Sequence, residues 1–152
     1  MVTQINGTIG LVLHGKNSQA VWTVAPEETV YAAVEKMADR EIGALLVLSE
    51  GKLMGIISER DYARKVILKH RSSRLTFVQE IMTSPVIIAR PNQPVSDCMT
   101  MMTQHRIRHL PIVENERILG IVSIGDIVKW IIDEQEHMIE ELNQYISSGY
   151  PG

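Results

Sequence analysis

The chain aligns with itself. Moving residues Pro26–Asp61 along by 65 positions places them on Pro91–Asp126 without an insertion or deletion. Nine of the 36 aligned positions are identical, among them Pro26/Pro91, Val30/Val95, Met37/Met102, Ile42/Ile107 and Leu45/Leu110. The other four identities, Gly, Ile, Ser and Asp, fall in one tail motif: Gly-Ile-Ile-Ser-Glu-Arg-Asp against Gly-Ile-Val-Ser-Ile-Gly-Asp. Chance matches would scatter, so a Ser-x-x-Asp behind an apolar run, present twice, marks a repeated site. Two copies of this length predict a pseudo-symmetric pair rather than a solenoid, whose periods are shorter and more numerous.

Each copy has the same order of signals. A short strand (Val21–Val24, then Val86–Ala89) runs into Pro26 or Pro91, which is expected to set up a helix start. Apolar residues then recur at helical spacing, Val30, Val34 and Met37 in one copy and Val95, Met99 and Met102 in the other. The runs Ala44–Leu48 and Leu53–Ile57, answered by Leu110–Val113 and Ile118–Val122, flank four-residue polar turns and predict hairpins. A second helix begins at each Ser-x-x-Asp. The fold class is therefore α+β: two β-α-β-β-α repeats packed about a pseudo-twofold axis, since neither half alone, at about 60 residues, is comfortably stable.

The expected boundaries are an N-terminal strand or helix segment over 1–20, repeat 1 over 21–70, a linker over 71–85 and repeat 2 over 86–133. A C-terminal helix extension and tail follow over 134–152. The connection Lys69–Thr83 has its expected counterpart in Ile9–Ala20. The last helix outruns the repeat and keeps Ile127, Ile131, Met138 and Leu142 roughly on one face.

Composition excludes several classes. At 152 residues and 45% hydrophobic, with a mean hydropathy near zero and only short apolar runs, the chain can bury a core but offers no transmembrane helix. The N-terminus lacks the basic start and apolar stretch of a signal peptide, and the lone Cys98 cannot make an internal disulfide. A cytoplasmic protein with a buried packing thiol is expected. There is no Walker-type loop, no Gly-x-Gly-x-x-Gly, no metal cluster and no Ser/His/Asp order, so no enzyme is expected.

The Ser-x-x-Asp motif has two readings. It is a capping box in which Ser caps and Asp reaches back. It also sets a carboxylate, suited to vicinal hydroxyls, beside helix N–H groups suited to an anion. Duplication at equivalent junctions, with Arg60 near one and Arg106 and Arg108 before the other, favours binding alongside capping. His105 and His109 have metal spacing, but the flanking arginines oppose a cation. Gly55 and Gly120 read as packing or turn glycines.

Taken together, the segments Trp22–Pro26, Ile42–Leu45, Gly55–Tyr62, His105–Val113 and Gly120–Val128 resemble a tandem CBS-domain pair, the regulatory module named after cystathionine β-synthase. The likeness is to stand-alone prokaryotic proteins that are such a pair and little else. The resemblance implies a sensor that binds adenosine ligands (AMP, ADP, ATP, NAD or S-adenosylmethionine) in clefts between the halves, with no other cofactor. Carried onto this chain, Asp61 and Asp126 would take ribose hydroxyls, with Ser58 and Ser123 beside them. Thr23 and the Gly43-Ala44 backbone would line one pocket. Arg108 and His109 would face phosphate, with Arg60 and Arg106 nearby. Ile88 stands where the first copy has Thr23, so the two pockets are expected to differ.

Charge suggests partners. From Arg60 to Arg74 there are six Lys/Arg against one acid, whereas the last helix holds Asp133, Glu134, Glu136, Glu140 and Glu141. Solvated faces are the default, but opposed signs also suit a homodimer in which basic and acidic ends meet. The alternative function is an interaction protein whose basic stretch, 60–74, binds a partner enzyme or nucleic acid. The net charge of −3 and few aromatics weigh against nucleic acid.

Overall fold

The computed structural model describes residues 6–16 and 20–149, so the N-terminal start and the last three residues of the tail lie outside the described residues. The elements are α1 (Ile9–His14), β1 (Thr23–Val24), α2 (Val30–Arg40), β2 (Ala44–Ser49), β3 (Lys52–Ser58) and α3 (Glu59–Lys65). After a short 3-10 turn come α4 (Val78–Ile81), α5 (Val95–His105), β4 (His109–Glu114), β5 (Arg117–Ser123) and α6 (Ile124–Gly149). The chain divides into two compact α+β units, Ala20–Ile87 and Met1–Gln19 together with Ile88–Gly152.

The two cores are built from the same positions. Val24, Val30, Ala33, Met37, Leu45, Val47 and Ile57 are buried in one unit. Their counterparts Ala89, Val95, Cys98, Met102, Leu110, Ile112 and Val122 are buried in the other. Burial, and then the neighbouring Asp97, push the Cys98 thiol up to about 11, which leaves it a packing group. Both hairpins pair antiparallel, Ala44 opposite Ser58 and His109 opposite Ser123.

Two expectations need correction. The prolines do not open the helices. Pro26 and Pro91 sit in turns, and the helices start four residues later at Val30 and Val95. Thr29 caps the first through its hydroxyl, which accepts from the Ala32 N–H at 3.1 Å, while Pro94 has no side-chain cap to offer. The strand expected over Val86–Ala89 is also reduced to a single bridge, Ala89 to Ile112. In the first unit β1 lies parallel to β2, and the Leu46 N–H donates to the Trp22 carbonyl at 3.3 Å. The residue in the place of Leu46 is Pro111, which has no N–H, so that rung is lost.

Each unit is closed by the segment that precedes the other repeat. In Ala20–Ile87, Val78 N–H donates to Glu28 O, Gln79 N–H to Pro26 O and Val30 N–H to Thr76 O, at 2.8, 3.1 and 2.8 Å. In the other unit Ile9 N–H donates to Gln93 O, Gly10 N–H to Pro91 O and Val95 N–H to Gly7 O, at 2.8, 2.9 and 3.0 Å. The region 71–85 thus carries α4 and these bonds, and Gly7–Leu13 stands where Thr76–Met82 stands, earlier than the counterpart expected from sequence. Glycine marks each docking point. A Cβ on Gly55 would lie 2.6 Å from Met82 Sδ, and one on Gly120 would lie 2.5 Å from Leu13 Cδ1.

That close approach is testable by a double-mutant cycle in denaturant. Gly120→Ala should cost about 1–3 kcal/mol through overpacking. Combined with Leu13→Ala, the loss should fall short of the sum of the single losses by at least about 0.5 kcal/mol. Strict additivity would show that α1 does not rest on Gly120.

Candidate functional site

Both Ser-x-x-Asp motifs end a hairpin strand and open a helix. Ser58 Oγ accepts from the Asp61 N–H at 3.2 Å, and Asp61 Oδ2 accepts from the Ser58 N–H at 2.9 Å. Ser123 and Asp126 repeat the pair at 3.1 and 2.8 Å. Each cap contributes about 0.5–2 kcal/mol and pins a carboxylate at a helix start. The remaining valences of the two carboxylates are spent differently.

Asp61 is closed. Its Oδ2 also accepts from Ser58 Oγ at 3.0 Å, and its Oδ1 accepts from Thr83 Oγ1 at 3.2 Å and pairs with Lys65 Nζ at 3.0 Å. Lys65 is held in turn by the Ile81 carbonyl at 2.9 Å. A carboxylate has about four lone-pair sites, and these four bonds use them. With Asp61 only 9% exposed, a ribose would have to displace Lys65 or Thr83.

Asp126 is more open. Lys16 Nζ, which donates to the Ile121 carbonyl at 2.7 Å, meets Asp126 Oδ2 at 2.9 Å. Among the described residues these contacts fall on Oδ2, and the side chain is 26% exposed. Burial pushes the carboxyl up, but the Ser123 N–H and the Lys16 ammonium outweigh it and hold the group below its ordinary 3.8. It is ionised at neutral pH.

His109 completes the difference. It opens β4 opposite Ser123, where the first unit has Ala44 opposite Ser58. Burial drives its pKa below 6.5; Asp126 opposes that shift, and Lys16 and Arg108 reinforce it, so the imidazole is neutral at pH 7. The Arg108 carbonyl accepts from the Ile124 N–H at 2.9 Å, as the Gly43 carbonyl accepts from the Glu59 N–H at 3.0 Å.

Arg108, His109, Ser123 and Asp126 therefore gather at the start of α6. Gly43, Ala44, Ser58, Arg60 and Asp61 gather at the start of α3. Thr23 lies on β1 opposite Leu46, two residues along β2 from Ala44, and its carbonyl accepts from Lys36 Nζ at 2.6 Å. Arg106 occupies the left-handed C-cap of α5, at φ 54°, two residues before Arg108. Ile88, in the place of Thr23, is exposed. Sequence reasoning missed Lys65, Thr83 and Lys16. Lys65 was findable as the i+4 partner of Asp61. Thr83 and Lys16 come from the docking segments, far along the chain, and leave no local signal.

Comparison with known proteins fits this architecture. The CBS domain family matches residues 17–68 and 78–133. The mitochondrial CBS domain-containing protein CBSX3 of Arabidopsis thaliana is 41% identical over 142 residues, covering 90% of this chain and 69% of its own length. A protein with CBS domains from Burkholderia ambifaria superposes with a TM-score of 0.82 at 44% identity, covering 85% of this chain and 96% of that one. A CBS domain pair solved in complex with 5′-methylthioadenosine and S-adenosyl-L-methionine gives 0.74 at 27% identity, covering 85% and 98%. With two matched repeats, two equivalent cores and two Ser-x-x-Asp caps, this chain belongs to the CBS domain family as a tandem pair.

Proposed function

We propose that this protein is a cytosolic, non-catalytic regulatory module that binds an adenosine-containing ligand at the start of α6. The observation that carries the reading is the contrast between the two carboxylates. Asp126 is ionised, and its contacts among the described residues gather on one oxygen, while both oxygens of Asp61 are consumed internally. Ribose hydroxyls donating to Asp126 would form charge-assisted hydrogen bonds. Arg108 and Lys16 add positive charge for a phosphate, and neutral His109 adds a hydrogen-bonding edge. The related pair that holds methylthioadenosine and S-adenosylmethionine supports adenosine as the common moiety, within which AMP, ADP, ATP and NAD are the nucleotide candidates. The protein acts as a homodimer, and ligand occupancy passes to a partner protein by favouring one of two conformations for which its affinity differs.

Titration calorimetry with AMP tests the assignment. Asp126→Ala should weaken binding about 10- to 100-fold, the loss of one charged hydrogen bond. Asp61→Ala should lower the melting temperature while leaving affinity near wild type. If Asp61→Ala abolished binding and Asp126→Ala did not, the working site would be at α3.

Acidification should report on His109 in the ligand-free protein. Unfolded His109 takes up its proton near 6.5, whereas the folded protein resists until lower pH. The neutral side chain's contribution is complete above 6.5 and is lost as pH falls through the folded value. Chemical denaturation between pH 7.5 and 5 should therefore show stability declining below about 6.5. His109→Gln should flatten that slope, and an unchanged slope would contradict the burial of the imidazole.

A further inference from the structure

α6 outruns the buried core that anchors it. Ile127 is fully buried, but beyond Ile131 the helix carries Ile132, Met138, Ile139, Leu142, Tyr145 and Ile146 in water, with Met138 63% exposed. At about 100° per residue these six fall within one arc of about 140°. Asp133, Glu136 and Glu140 border one side of the arc, and Glu134 and Glu141 border the other. An acidic amphipathic helix of this kind gains little from pairing with itself, because like charges line both edges of the seam.

The complementary surface is on the other unit. Between Tyr62 and Gln79 the chain has no carboxylate. This stretch folds back on itself: Arg71 N–H donates to the Val66 carbonyl at 2.9 Å, Tyr31 N–H to the Ser73 carbonyl at 3.0 Å, and Arg74 stacks on the Tyr31 ring at 4.0 Å. The result exposes Ile67, Leu68, Leu75 and Phe77, with Leu75 83% exposed and Leu68 68%. Lys65 and Arg71 are paired internally with Asp61 and Glu80. Arg64, Lys69 and Arg74 set positive charge among these apolar side chains. Apolar surface of this kind bordered by charge marks an interaction site.

We propose that the C-terminal half of α6 of one copy docks on the 64–77 surface of a second copy, and the reverse. Both surfaces are exposed within a single chain, and the reciprocal arrangement closes as a twofold dimer. The apolar arc meets the apolar side chains, and its acidic borders meet Arg64, Lys69 and Arg74. This rests on the homodimer reading above and names its interface. An anionic membrane would repel the helix, and nucleic acid would engage only the basic half.

Light scattering of the full chain at tens of micromolar, with and without 0.5 M salt, tests the contact through charge exchange. The wild type should have a mass clearly above 17.1 kDa and lose mass at high salt. Lys69→Glu with Arg74→Glu should give monomers, and so should Glu136→Lys with Glu140→Lys. Mixed in equal amounts, the two variants should regain the wild-type mass, because each then offers the other matching signs. Circular dichroism checks that both are folded, and truncation after Asp133, which spares every buried core residue, should also give monomers. Variants that keep the wild-type mass would overturn this interface while leaving the homodimer standing. Loss from the helix variant alone would mean α6 pairs with itself. A monomeric wild type would overturn interface and homodimer together, whether or not it bound anionic vesicles.

Discussion

Three backbone hydrogen bonds, made once in each unit, complete the two cores. In each unit a short leading segment hydrogen-bonds to the turn before the first long helix and, in the same motion, lays its apolar side chains against the glycine of the second hairpin strand. The segments come from opposite places in the chain, α1 closing the unit built by the second repeat and α4 closing the first. Neither repeat as an isolated sequence block would be complete. Without the leading segment the ends of its core, Val78 and Ile81 in one case and Ile9 and Val12 in the other, would be missing.

The same docking writes chemistry into the two motif carboxylates. α4 is followed by Thr83, whose hydroxyl reaches Asp61, and its Ile81 carbonyl positions Lys65 on the same group. α1 is followed by Lys16, which reaches Asp126 through Oδ2, the oxygen that also takes the Ser123 N–H. A few side chains then separate the units further. His109 replaces Ala44, Pro111 replaces Leu46 and Ile88 replaces Thr23. A repeated hairpin and helix start thus carries one carboxylate closed into a clasp and one that is more exposed. Buried polar groups that are fully satisfied specify structure, whereas an ionised, partly exposed carboxylate is open to a ligand.

Most of the fold was legible because the repeat compares like with like. The hairpins, the second helices and the buried positions coincide in both copies, and periodicity in one confirms periodicity in the other. The helix starts were misplaced because proline was weighed as an N1 residue, when Thr29 and Pro94 are the actual caps. The short strand before α5 was overestimated because a parallel rung depends on a distant N–H, which Pro111 lacks. In the candidate site, the paired caps Ser58–Asp61 and Ser123–Asp126 were visible through duplication. Ile88 in the place of Thr23 already implied unequal pockets, but the inequality of the two carboxylates was hidden, since it depends on Lys16 and Asp126 meeting across 110 positions of sequence.

The account stands or falls on which carboxylate takes the ribose. A crystal structure of the full chain grown with AMP decides it most directly. The account predicts one nucleotide per chain at the start of α6, its ribose hydroxyls within hydrogen-bond distance of Asp126. Lys65 and Thr83 should remain on Asp61. A nucleotide whose ribose sits on Asp61, with Lys65 displaced and Asp126 still bound only to Ser123 and Lys16, would contradict it.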